Sequence, residues 1–395
     1  MKFGLDIKYS GRIIMQTDRQ TDRQSNYELM RIVSMLMIIG YHLSVHGVMY
    51  KYSNTFNNGI DKLVVWRKGS FTNQCITSFL QPGGEVGVAI FFMLAGYFLI
   101  DRKKGVNLQK LVCQGLFYGV IACLIVASAF FLGVRPGLTK AIFILEACIE
   151  SIISPYSNWW FLGTYILVVL LLPAIQSVFL KYDRNGQIKL LCLIWLFIYC
   201  INLLLNSGYA NLMKGIFFFI LGGYIRINFS QNKVNNRIYL WLMFAIFFWM
   251  IDSMVLYETN VLSLLNGTKV KLIVNVFGII DYGLLVPSCA TFLFLFFSTL
   301  HIQCHTINRI ASTTFGIYLL HDNIAIRELL WSKLLKVDTV QYTSSLFPLY
   351  AIVDVIVIFL IGMCVDLFRQ KYIAPLIEKK WNSIKSSFQK YKFSN

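Results

Sequence analysis

Apolar residues run in blocks of about twenty from residue 29 to residue 367, and short polar or basic segments separate them. The blocks fall near 29–49, 85–101, 108–133, 158–179, 188–206, 211–228, 238–257, 274–300, 308–326 and 345–367. Twenty residues of helix at 1.5 Å each cover the roughly 30 Å hydrocarbon layer of a bilayer. Lipid also leaves no backbone group free to pair with water. The pattern therefore predicts an all-α, polytopic membrane helix bundle of about ten transmembrane helices.

Basic residues orient the bundle. Arg102, Lys103, Lys104 and Lys110, then Lys181, Arg184 and Lys189, then Arg226, Lys233 and Arg237, and finally Arg309 fall on alternate connections. Lys and Arg collect on the cytoplasmic side, so both termini are expected in the cytoplasm and the protein in the inner or plasma membrane. Residues 1–25 read as a disordered cytoplasmic tail, 26–370 as the transmembrane domain, and 371–395 as a basic tail resting on anionic lipid. No cleavable signal is evident. The polar connection 50–83 is expected to form a lid over the outer mouth. Residues 140–156, with Glu146 and Glu150, read as an interfacial or re-entrant helix. Asn158-Trp159-Trp160-Phe161 reads first as an aromatic belt.

Composition agrees with the membrane class: 57% of the 395 residues are hydrophobic and 14% charged. The net charge of +17 lies mostly in the short connections, which favours a lipid bilayer and not nucleic acid as the partner. The nine cysteines are scattered without a Cys-x-x-Cys pair, so neither a disulfide framework nor a zinc site is expected. In the amino-terminal tail, Thr17-Asp18-Arg19-Gln20 is repeated at once by residues 21–24. A repeated ACAG tetranucleotide would encode this, and slippage there would switch expression. A chance duplication explains it equally well. Met15 is a candidate internal start.

Two ionisable residues share the first apolar block. Arg31 and His42 are eleven positions apart, roughly 1,100° of helical rotation, which puts them on one face about 16 Å apart along the axis. Buried charge in a membrane is expensive and marks function by default. An imidazole can take a proton from a hydroxyl, as O-acyl transfer requires. Arg31 stays charged and suits a phosphate, although Glu28, three residues earlier, is an obvious ion-pair partner. His46, one turn beyond His42, makes a His-x-x-x-His pair, but no neighbouring cluster supplies the remaining ligands of a metal. Glu85 and Arg102 flank the second block, Asp252 and Asp281 interrupt apolar runs, and His321 beside Asp322 is a second acid–base candidate.

Together these pieces resemble bacterial integral-membrane acyltransferases of acyltransferase family three. The resemblance rests on Asn26-Tyr27-Glu28-Leu29-Met30-Arg31-Ile32, the Arg31–His42 spacing, and Gly87-Val88 running to Phe91-Phe92 and Gly96-Tyr97-Phe98. It continues through Trp159-Trp160-Phe161 and Thr314-Phe315-Gly316-Ile317-Tyr318-Leu319-Leu320-His321, spanning residues 26 to about 325. It implies transfer of an acyl group, usually acetyl from acetyl-CoA, to a sugar hydroxyl of a surface glycan. His42 and Arg31 would map onto the family's essential pair. Glu28, Glu85, Arg102 and His321 are then candidate substrate-binding residues, and acetyl-CoA is a donor substrate with no bound cofactor or metal expected. Ala95 stands where the family often has Ser, and Arg102-Lys103-Lys104 where some members carry paired arginines. The rival reading is a transporter or exporter of a small metabolite or lipid-linked sugar, lined by Arg31, His42 and His321. Such proteins often show two similar halves, and this sequence shows none.

Overall fold

The structure, a computed structural model, describes residues 24–49, 63–103, 106, 108–132, 142, 159–205, 210–229, 237–265, 267–377 and 379. The tail repeat, the 140–156 segment apart from Ile142, Asn158, residues 50–62 of the proposed lid and most of the basic tail lie outside these. Among the described residues every regular element is helical. Helix occupies each of the ten expected blocks, though not always as one rod. Among the described residues, six stretches are long and apolar enough to cross a membrane, and seven if one bent pair counts as a span.

Helix α1 (Ser25–His42) runs into a π-helical turn, Leu43–Met49. Helix α2 (Phe71–Leu80) follows. It lies within the polar connection expected to form a lid. Ser70 accepts a hydrogen bond from the Asn73 N–H at 3.2 Å and so starts the helix, an N-cap that a polar stretch readily provides. Helix α3 (Pro82–Leu99) packs antiparallel on α1. A Cβ at Gly83 would lie 2.6 Å from the Met37 carbonyl oxygen and one at Gly87 2.8 Å from that of Ser34. Small residues here let the two backbones approach, as in membrane helix pairs generally.

Helix α4 (Leu108–Phe131) comes next, followed by α5 (Trp160–Leu170) and α6 (Leu172–Phe179). The last two form the bent pair, with an angle of 57°. Pro173 in the first turn of α6 has no N–H to continue the ladder. Helices α7 (Arg184–Leu205) and α8 (Ala210–Asn228) follow. α8 runs parallel to α3, and an ion pair holds each end: Glu85–Lys214 at 3.5 Å and Asp101–Arg226 at 3.5 Å. Between them, a Cβ at Gly96 would overlap the Phe219 carbonyl, and one at Gly222 that of Met93.

Helices α9 (Ile238–Ser263), α10 (Thr268–Ile280) and α11 (Val286–Thr299) complete that side, with a π-helical turn, Asp281–Leu285, joining the last two. The expected span 308–326 is broken into α12 (His305–Ala311), α13 (Thr314–His321) and α14 (Ile324–Glu328). The hydroxyls of Ser312, Thr313 and Thr314 donate back to the carbonyls of Arg309, Ile310 and Ala311, and such bonds compete with helix continuation. Helix α15 (Phe347–Phe368) closes the bundle.

The start of α1 shows why its residues are polar yet inside. Ser25, Asn26, Tyr27 and Glu28 are all buried. Asn26 donates to the Phe297 carbonyl at the end of α11, and Ser25 exchanges hydrogen bonds with the backbone of Cys304. The Tyr27 ring packs on Tyr97, Phe98 and Phe294. Trp159 is fully buried, and Phe161 packs edge-on against Phe92 and Tyr318. These two rings therefore belong to the core and not to an interfacial belt.

Candidate active site

His42 is the last residue of α1, and the π-helical turn after it carries His46 back over the same region, with the two rings 5.0 Å apart. α13 ends on His321, and Asn323 caps α14 by accepting from the Ala325 N–H at 2.9 Å. The short break between these helices holds Asp322, which is 1% exposed. Residues 279 positions apart thus meet: His42 Nδ1 lies 2.9 Å from His321 Nε2, and both rings are buried.

The hydrogen-bond partners fix the tautomers. His321 Nδ1 is 2.7 Å from the Ile317 carbonyl oxygen, which can only accept, so Nδ1 carries the hydrogen. Nε2 of the neutral ring is then bare and accepts from His42 Nδ1–H. That leaves His42 Nε2 with its lone pair free, 3.5 Å from Asp322 Oδ1. A free nitrogen aimed at a carboxylate is a base whose conjugate acid has a partner waiting. Arg327 holds the carboxylate in turn, donating from Nε at 2.9 Å and from a terminal nitrogen at 2.7 Å, both to Oδ1. Its Nε also reaches the Asp322 carbonyl at 3.1 Å.

His42, His46 and Asp322 each offer a ligand atom, all within 4.8 Å of one another. That is the third ligand absent from the sequence pattern. However, Oδ1 already receives two guanidinium N–H donors, and the positive charge of Arg327 opposes a cation there. The donor set suits a charge-paired base better than a metal.

The other predicted residues lie elsewhere. Arg31 donates to both carboxylate oxygens of Glu28 at 2.9 Å and remains one-third exposed. Arg102 is exposed just past the end of α3. There Gln176 donates to the carbonyls of Leu99, Ile100 and Arg102 at 3.0, 3.1 and 3.0 Å and fixes that end of the helix. Arg31 and Arg102 both act electrostatically on the buried Tyr165 hydroxyl of α5, so the two cations share one end of the bundle. Between that end and His42 lies a narrow apolar slot bounded by Met35, Ile38, Val88, Phe91, Phe161 and Tyr318, with about 10 Å³ of free room. Glu85 pairs with Lys214 and stays outside the histidine cluster.

Arg327 and Lys214 are not among the residues singled out from the sequence. The i, i+5 spacing of Asp322 and Arg327 was the available signal for the first. For the second it was a lone lysine inside an apolar run.

The match to a family model for an acyltransferase domain covers residues 24–365. The chain belongs to acyltransferase family 3. It is a multi-pass membrane acyltransferase, and the histidine cluster joins the first and the ninth apolar blocks of the matched region. No match to the chain was found among curated proteins or solved structures.

Proposed function

We propose that this acyltransferase is an O-acetyltransferase that moves acetyl from acetyl-CoA to a hydroxyl of a cell-surface polysaccharide or lipid-linked glycan. The observation that carries the reading is the bare His42 Nε2, held in its tautomer by His321 and facing Asp322. His42 takes the proton of the acceptor hydroxyl at Nε2 as the oxygen attacks the thioester carbonyl. The C–O bond forms, the C–S bond breaks, and the proton passes from His42 to the leaving thiolate. Opposite charges 3.5 Å apart attract by about 5 kcal/mol at an effective dielectric of about 20. This favours the imidazolium, while burial away from water and the charge of Arg327 both oppose it.

Arg31 and Arg102 suit the phosphates of the coenzyme, which approach from the far end of α1. The pantetheine arm spans the roughly 16 Å between them and His42. The slot has about 10 Å³ of room, close to one small group, which favours acetyl over longer chains. Membrane vesicles incubated with radiolabelled acetyl-CoA test the reading. Label that enters a glycan and is released by mild base supports it. Label that stays in acetyl-CoA, or that enters only base-stable products, refutes it.

A further inference from the structure

A buried polar group that the chain leaves unsatisfied calls for an explanation. The Asp252 and Asp281 carboxyls are not such groups, because each lies within hydrogen-bonding reach of the other and one proton closes the pair. The wall of the slot that leads to His42 is different, and helix α5 starts there. Its N-cap residue, Trp159, makes no side-chain cap, since an indole donates and cannot accept. The first N–H to find a helix carbonyl is that of Gly163, at 3.1 Å from Trp159 O. The N–H groups of Trp160, Phe161 and Leu162 therefore have no carbonyl within the helix to meet, and they carry its positive end.

Tyr318 of α13 faces this helix start. The residue is 4% exposed, and its ring packs edge-on against Phe161 with centres 5.5 Å apart. The Phe161 backbone acts on its hydroxyl, so the hydroxyl is aimed at the first turn of α5. No hydrogen bond closes on it among the described residues. The Asp322 carboxylate acts on the same hydroxyl, which places it at the His42 end of the slot. Phe161 and Tyr318 both bound that slot, whose free room is about 10 Å³ and whose other walls are apolar. An O–H and a helix N-terminus that converge on one small apolar space suit an oxygen that gains negative charge.

We infer that the Tyr318 hydroxyl and the Phe161 N–H hold the carbonyl oxygen of the acyl thioester and stabilise it as it becomes an oxyanion. The inference rests on the acetyl-CoA reading above and adds the donors which that chemistry needs opposite the base. As the acceptor oxygen attacks, its proton passes to His42 Nε2 and the C–O bond forms. The carbonyl π pair moves onto the oxygen held by Tyr318 and Phe161. That pair returns as the C–S bond breaks, and the thiolate takes the proton from His42. Ring packing and the helix fix both donors beforehand, so neither has to reorganise when the charge develops.

Two readouts on the full chain in lipid nanodiscs test this. In steady-state kinetics with deacylated host glycan, Tyr318→Phe should lower kcat about 100-fold or more with KM for acetyl-CoA within about twofold, as loss of one oxyanion donor does. Its unfolding temperature should not fall, because the hydroxyl bonds nothing in the resting protein. The second readout is the infrared band of acetyl-CoA isotope-labelled at the carbonyl and bound to His42→Ala, which cannot turn it over. That band should lie at lower wavenumber than on the His42→Ala, Tyr318→Phe double variant, where one donor is missing. A kcat within about threefold of wild type, a factor far below the loss of an oxyanion donor, overturns the inference. A lower kcat with a lower unfolding temperature and an unmoved band makes the hydroxyl structural and overturns it too. Where the Phe variant does not fold, a ring-fluorinated tyrosine at position 318, a stronger donor of nearly the same size, should move the band further down; an unmoved band overturns the inference. A band shift without any transfer to glycan supports the donor pocket and sinks only the glycan acceptor. Acetyl-CoA that does not bind sinks the donor reading and the inference with it.

Discussion

His321 is predicted to act through His42, and its removal has a magnitude that follows from the geometry. The 2.9 Å contact gives His42 Nδ1–H its acceptor in a buried site. In His321→Ala that donor has no partner, which costs about 1–3 kcal/mol. The ring escapes the cost by moving its hydrogen to Nε2, where Asp322 Oδ1 waits 3.5 Å away. The atom that should take the substrate proton is then already protonated. At about 1.4 kcal/mol per factor of ten, the reactive tautomer falls by roughly 5- to 150-fold. The expected result is a kcat lower by that range with KM for acetyl-CoA unchanged, because the phosphate site proposed at Arg31 and Arg102 lies about 16 Å away. His321→Gln offers an amide oxygen to the same N–H and should recover part of the loss. The assay is CoA release from acetyl-CoA, followed with a thiol reagent, by purified protein supplied with deacylated host glycan. A His321→Ala protein of normal thermal stability with kcat within twofold of wild type would refute the tautomer argument. So would a change confined to KM.

Four further outcomes follow from the packing and the charges. Asp366 is fully buried and accepts from Tyr118 at 2.8 Å, Gln114 at 3.1 Å, Gln370 at 2.7 Å and Arg369 at 2.7 Å. Asp366→Ala strands the guanidinium and should cost about 3–5 kcal/mol, read as a lower unfolding temperature in detergent. Gly96→Ala drives a methyl into the Phe219 carbonyl and should cost about 1–3 kcal/mol or more. Gly278→Ala, with nothing within 4 Å, should leave the unfolding temperature equal or higher. Arg31→Gln and Arg102→Ala should raise KM for acetyl-CoA about tenfold or more at nearly constant kcat, since each removes a cation proposed to meet the phosphates. Steady-state kinetics check this.

The sequence made some of this legible and not the rest, for physical reasons. The Arg31–His42 face follows from helical period alone, and block lengths near twenty located the helices. Local side-chain chemistry decided the breaks: Ser312, Thr313 and Thr314 bond back to the preceding turn and split what apolar length suggests is one span. The pairing of His42 with His321 is set by how α1, α13 and α15 pack, and no spacing along the chain encodes it. His46 needed the π-helical turn to reach Asp322, and a regular helix gives no warning of that turn. Arg327 lies just past the ninth apolar block, in a connection that carries several charges, so its role in holding Asp322 appeared only in three dimensions. Asp252 and Asp281 were visible as costly intramembrane carboxyls, but their mutual approach was not.

Proton NMR of the host's surface glycan, in a deletion strain complemented with wild type or His42→Ala, tests the central claim most directly. The account predicts acetyl ester signals that wild type restores and His42→Ala does not, at equal membrane abundance. Full restoration by His42→Ala would contradict the catalytic assignment. A glycan whose esters are unchanged by the deletion would contradict the proposed reaction.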